Sequence, residues 1–142
     1  MTEEPHHLLP VRIYYEDTDA GGVVYHTGYL RFFERGRTES LRELGINQST
    51  LAARPDPVLF VVRRMAVEFL RPARLDDLVQ VRTRLLSAQG VRLKLEQEIT
   101  LEDQRLCGAT VEVACVDAGG RPRRLPGDLL ASLQLWLTKS AP

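Results

Sequence analysis

Cysteine is nearly absent from this chain. Cys107 and Cys115 are its whole complement, and on one strand eight residues at about 3.3 Å each would hold them roughly 26 Å apart. A disulfide bridges Cα atoms only up to about 7 Å, so both are expected to be small core residues, as suits a reducing compartment. Lysine is almost as scarce, since arginine supplies 17 of 19 cationic residues. Those 19 are matched by 19 Asp and Glu, and the formal net charge of zero removes the general electrostatic footing for a nucleic-acid or membrane-surface protein. No run approaches the roughly 18 apolar residues of a membrane span, and "MTEEPHHLLP" has no basic region followed by an apolar one. The expectation is a cytoplasmic protein without membrane insertion. His6, His7 and His26 are the only histidines; with two distant cysteines they offer no metal-binding spacing. Phosphate-cradling glycine loops and the G-x-S-x-G elbow are missing too. No metal, cofactor or nucleic acid is expected.

What is present is ordinary for a globular protein. At 142 residues, 44% apolar and 27% charged, the chain can bury one full core as a single domain. Residues 11–16, "VRIYYE", alternate as a half-buried strand does. "HTGYLRFFERGRTESLRELG" carries Tyr29, Leu30, Phe33, Leu41 and Leu44 at helical spacing, with Gly45 as a stop. On its wet side Glu34 can meet Arg37, and Arg35 can meet Glu39. Gly36 lies on or near the apolar stripe and costs up to about 1 kcal/mol of helix propensity, which a close approach of helix to sheet would explain. Past a loop with Pro55 and Pro57 come four strand-like runs, "VLFVVRRMAVEFLR", "DLVQVRTRLLSA", "VRLKLEQEITLE" and "RLCGATVEVACVD". "AQG" and "EDQ" between them are short enough for antiparallel hairpins. "RLPGDLLASLQLWLTK" reads as a short closing helix. Helices and strands do not alternate, so a parallel doubly wound sheet is disfavoured. The expected fold is α+β, an antiparallel sheet wrapped around one long central helix, over residues 10–138, with 1–9 as a mobile arm.

One stretch is denser in polar chemistry than a turn requires. In "YYEDTDAGGVVYHTGY", residues 14–29, Asp17 and Asp19 close the first strand and His26 opens the helix. Between them Gly21 and Gly22 let the backbone take positive φ or approach a ligand closely. A helix start offers unpaired N–H groups and the positive end of a dipole to an oxygen gaining charge. A carboxylate in reach could activate water or attack an acyl carbon. Asp and Gly also make turns and caps, and a histidine also starts helices. Spacing alone reaches a candidate acyl-transfer site.

The run D-T-D-A-G-G-V-V-Y-H, with the tyrosine pair before it and "ERGRTE" after, resembles the opening of the hotdog-fold acyl-CoA thioesterases. More closely, it resembles their YbgC-like, Tol-Pal-associated branch, relatives of 4-hydroxybenzoyl-CoA thioesterase. The likeness continues through "FVVRRMAVEFLRPARLDDLV" and "ATVEVACVDAGGRPRRLP", from about residue 10 to 130. It implies hydrolysis of an acyl-CoA thioester, with Asp19 as nucleophile or general base and His26 at the helix start, where a backbone N–H polarises the carbonyl. It places Tyr15, Gly22 and Tyr25 near the substrate. Arg63, with Arg64, Arg71 and Arg74, is a candidate for the phosphates or adenine end of coenzyme A. A thiolate leaves readily, with a conjugate-acid pKa of about 8.5 by analogy with cysteine, so one carboxylate and an oxyanion donor suffice. The resemblance further implies a homodimer or dimer of dimers with sites at the interface, and an acyl carrier protein as an alternative carrier. Gly36 departs from the alanine usual in relatives. A dehydratase acting on acyl-carrier-protein substrates and an acyl-CoA binder with little turnover are the rival readings.

Overall fold

The structure, a computed structural model, describes residues 6–138. In chain order come β1 (His7–Arg12), a 3-10 turn (Tyr15–Asp17), α1 (His26–Glu43), α2 (Gln48–Ala52), β2 (Leu59–Phe69), β3 (Leu78–Gln89), β4 (Arg92–Leu101), β5 (Gln104–Val116) and α3 (Gly127–Thr138). The strands form one antiparallel sheet in the order β1-β3-β4-β5-β2. This is the expected α+β hotdog architecture, a sheet around one long helix with a short closing helix.

Alternation builds the sheet. Leu93, Leu95 and Ile99 of β4 and Cys107, Ala109, Val111, Val113 and Cys115 of β5 are buried on one face. The β4–β5 connection turns through Glu102 and Asp103, both at positive φ (49° and 67°), the conformation a two-residue hairpin loop demands. α1 packs on β1 and β3 through Tyr29, Phe32, Phe33, Gly36 and Leu41. Phe32 is buried where Leu30 was expected, and Leu30 is partly exposed. Arg35 lies over the Phe32 ring, and Glu39 pairs with Arg42. α3 closes the core with Leu129, Leu133 and Trp136.

The first strand begins earlier than the alternation of 11–16 implies. It spans His7–Arg12, and Leu8, Leu9 and Pro10 pair with Arg82, Val81 and Gln80. The arm expected over 1–9 is therefore not free at its end: His7 Nε2 lies 3.1 Å from Glu43 and His6 accepts from Arg82. Residues 1–5 lie outside the described range. Pro10 is tolerated because β1 is an edge strand.

At Gly36 helix and sheet approach closely. A Cβ there would sit 2.7 Å from Val81 Cγ1 and 2.9 Å from Thr83 Oγ1. Gln97, a glutamine on an otherwise apolar strand face, explains how that contact tolerates polarity. Its Nε2 donates to Phe33 O and Thr83 Oγ1, each at 2.9 Å, and its Oε1 accepts from Arg37 at 3.0 Å. Gly36→Ala should gain about 1 kcal/mol of helix propensity and lose more to overpacking, for a net loss of about 1–2 kcal/mol. Urea melts check this, and Gly36→Ala should cost less on a Val81→Ala background, where one of the close contacts is gone.

Both cysteines are buried and unbridged. Burial pushes the Cys107 thiol up from 9.0 to about 11, and Arg105 opposes this only in part. The unfolded chain loses that proton from about pH 9, while the fold holds it to about pH 11. Stability should therefore be fully present below pH 9 and fall as pH rises through that window, by about 2–3 kcal/mol from this thiol. Cys107→Ala should flatten the decline in alkaline melts.

Candidate active site

After β1 the chain is pinned before it reaches the acidic loop. Ile13 N donates to Asp77 O at 2.9 Å, and Asp76 N returns a bond to Ile13 O at 3.0 Å. The 3-10 turn follows, held by Tyr14 N donating to Asp17 Oδ2 at 2.8 Å. Asp17 is buried and serves the turn.

Asp19 opens a small hairpin. Its N–H donates to Val23 O at 2.8 Å, Gly22 N donates back to Asp19 O at 3.0 Å, and Thr18 bridges Val24. Gly22 sits at φ +78°, which closes this turn. The carboxylate participates through one oxygen: Oδ1 accepts from Gly21 N at 2.8 Å and Val23 N at 3.3 Å. Among the described residues nothing donates to Oδ2. The loop is stitched to the segment before β3, with Val24 N donating to Ala73 O at 2.9 Å and Leu75 N to Gly22 O at 3.2 Å. Tyr29 braces the same segment by accepting from Ala73 N at 2.9 Å, and burial raises its phenol pKa.

The loop delivers the chain into α1. Tyr25 is the N-cap with no side-chain cap bond, and Gly28 N already donates to Tyr25 O. The His26 and Thr27 N–H groups, ahead of the helical ladder, lead its positive end. The His26 ring meets Phe69 edge-on, centroids 6.3 Å apart, and Phe69 meets Tyr29 at 5.7 Å. Val24, His26, Tyr29, Phe69, Leu70 and Arg71 line an open groove of about 260 Å³.

Of the residues expected from sequence, Asp19, Gly22, Tyr25 and His26 share this loop and helix start. Asp19 is not in the wall of the groove. Tyr15 is 83% exposed and contributes its carbonyl to Thr18. Arg63 stands apart: it occupies the register irregularity of β2, 3.9 Å from Glu112, six residues or roughly 20 Å along the strand from Phe69. Phe69 and Tyr29 were missed as groove residues, because apolar residues in a strand and a helix carry only a core signal in sequence.

Residues 14–133 match the family model of the thioesterase-like superfamily, and the chain belongs to that superfamily. Among curated relatives, the acyl-CoA thioester hydrolase YbgC of Escherichia coli O6:H1 is 48% identical over 88% of this chain and 93% of its own. The acyl-CoA thioesterase YbgC of Haemophilus influenzae is 47% identical over 87% and 91%. A probable thioesterase from Bartonella henselae superposes with a TM-score of 0.83 at 45% identity, covering 86% of this chain and all of that one.

Proposed function

We propose that this thioester hydrolase cleaves acyl-CoA to a carboxylate and free CoA, with Asp19 as the reacting carboxylate and the α1 start as the carbonyl donor. The observation that carries the reading is the division of labour at Asp19. Oδ1 is held by two backbone N–H groups, which leaves Oδ2 available on the loop that leads into the α1 N-terminus. The His26 and Thr27 N–H groups stabilise the oxygen that gains charge as the acyl carbon is attacked. Asp19 either takes a proton from the attacking water or bonds to the acyl carbon itself; in both cases the C–S bond breaks and CoA leaves as a thiolate. In the second route an aspartyl anhydride is then hydrolysed, and where water adds at its aspartyl carbon a single-turnover reaction in H₂¹⁸O leaves label on Asp19.

The groove suits the thioester end of the substrate, with Phe69 and Leu70 as its apolar wall and Arg71 at its edge for a phosphate of CoA. Arg63 is out of reach of the same site within one chain, so any role at the CoA end comes from a second copy. A homodimer is supported by β2. Val62 lies opposite buried Val113, and Phe69 opposite buried Cys107, so both point to the core face. Yet they remain 48% and 51% exposed, because α1 covers β1 and β3 and leaves this edge bare. An 11-residue edge strand, paired with β5 on one side only and carrying a bare apolar face, is a template for pairing with its own copy.

A binder with little turnover has one observation in its favour: half of the Asp19 carboxylate already serves the turn. Thiol release from a panel of acyl-CoA thioesters, run on wild type and Asp19→Asn, separates the two. Turnover lost in the variant supports the hydrolase; saturable binding without turnover, surviving in Asp19→Asn, would establish the binder.

A further inference from the structure

A second cavity, of about 300 Å³, lies away from the groove at His26. It is enclosed by the C-terminal half of α1, the first residues of β2, the core face of the sheet and α3. Leu41, Leu95 and Trp136 give it an apolar side, and Arg37 stands in its wall with Glu34 and Gln48. That guanidinium is unlike the arginines of the outer sheet face. Arg82, Arg84 and Arg92 each pair with a glutamate, whereas among the described residues no carboxylate bridges Arg37. Its one hydrogen bond goes to Gln97 Oε1 at 3.0 Å, a small share of a guanidinium's five donors. Its other nitrogens keep accessible surface, and the residue lines the cavity. Burial acts against its charge and Glu34, one turn earlier, acts for it; guanidinium stays protonated under such opposition. A cation with unused donors beside an apolar wall suits an oxyanion, and the planar fork fits a carboxylate best.

We propose that this cavity receives the distal end of the acyl group and that Arg37 selects acyl groups ending in a second carboxylate, the half-thioesters of dicarboxylic acids. This rests on the thioesterase reading above. Within one chain Arg37 is 11 residues from His26, about 16 Å along α1, a reach suited to a long diacid. Antiparallel pairing of two β2 edges would instead run the Val61–Val62 end of one copy beside the Phe69–Leu70 end of the other, so that a shorter tail leaving one groove enters the other copy's cavity.

The test is kcat/KM for length-matched pairs: succinyl with butyryl, adipoyl with hexanoyl, suberoyl with octanoyl, and longer pairs up to hexadecanedioyl with palmitoyl. At the best length the diacid member should be preferred by roughly 10- to 100-fold, the range for a hydrogen-bonded charge. Arg37→Gln should erase that preference mainly through KM and affect the plain acyl series far less, while Arg37→Lys should keep part of it. The wild-type preference is read without any variant, so a poorly folding Arg37→Gln does not block the test. Turnover of plain acyl-CoA with no diacid preference at any length would overturn this inference and leave the thioesterase reading standing. An equal loss on both series in folded Arg37→Gln would overturn it too, by making Arg37 structural. No turnover on any thioester would remove the thioesterase reading, and this one with it.

Discussion

Asp19→Asn should lower kcat/KM on every acyl-CoA substrate by roughly 10²-fold or more, the scale of losing a general base, and leave the melting temperature nearly unchanged. The two halves of that expectation come from different oxygens. Asparagine keeps an Oδ1 that can accept from Gly21 N and Val23 N, so the turn persists. It removes the anionic charge on the side chain, which water activation or acyl attack requires. Asp19→Ala should lose both, adding about 1 kcal/mol of destabilisation for the turn bonds. Asp17 provides the contrast. It is buried and holds Tyr14 N, so Asp17→Ala should appear chiefly in thermal melts. If Asp19→Asn turned over like wild type, hydrolysis would stand and another group would have to perform it.

Val62→Glu should give a folded monomer with little activity. In a single chain Val62 is 48% exposed on the core-facing side of the edge strand, so a glutamate there remains largely solvated and the protomer survives. Pressed against a second copy, the same carboxylate loses water without gaining a partner. A penalty of about 3 kcal/mol, roughly 10²-fold in Kd, is the ordinary cost of such a mismatch. Sedimentation should show the mass fall by half at micromolar concentration, and thiol release should fall with it if each site borrows from its neighbour as proposed. A variant that assembled normally would move the interface away from β2. One that became monomeric and stayed fully active would make the site self-sufficient.

The sheet was legible because β3, β4 and β5 alternate strictly enough for a period of two to show. The exceptions are instructive. Gln97 sits on the buried face of β4, and a polar side chain there reads as a break in the pattern until Thr83, Phe33 and Arg37 are seen around it. The first strand was displaced by several residues, since Tyr14–Asp17 alternate in sequence but are drawn into a turn by the Asp17 side chain. α2 follows no long periodicity and stayed invisible. Within the site, the Asp-Gly run could be located from sequence. That Asp17 supports the turn while Asp19 keeps a free oxygen depends on which N–H each carboxylate meets, and on the distant residues 73–75 that hold the loop. No local pattern encodes that.

Those distant contacts set an order of assembly. The loop carrying Asp19 is anchored by Ala73 and Leu75, some fifty residues further along the chain, so it has nothing to fold against until β2 has been made and the chain has turned back towards β3. Closing so long a loop is an entropic cost that other long-range pairings must already have offset. The loop around Asp19 is therefore among the last parts of the chain to acquire its shape, and an incomplete chain emerging during synthesis holds the aspartate without the contacts that orient it.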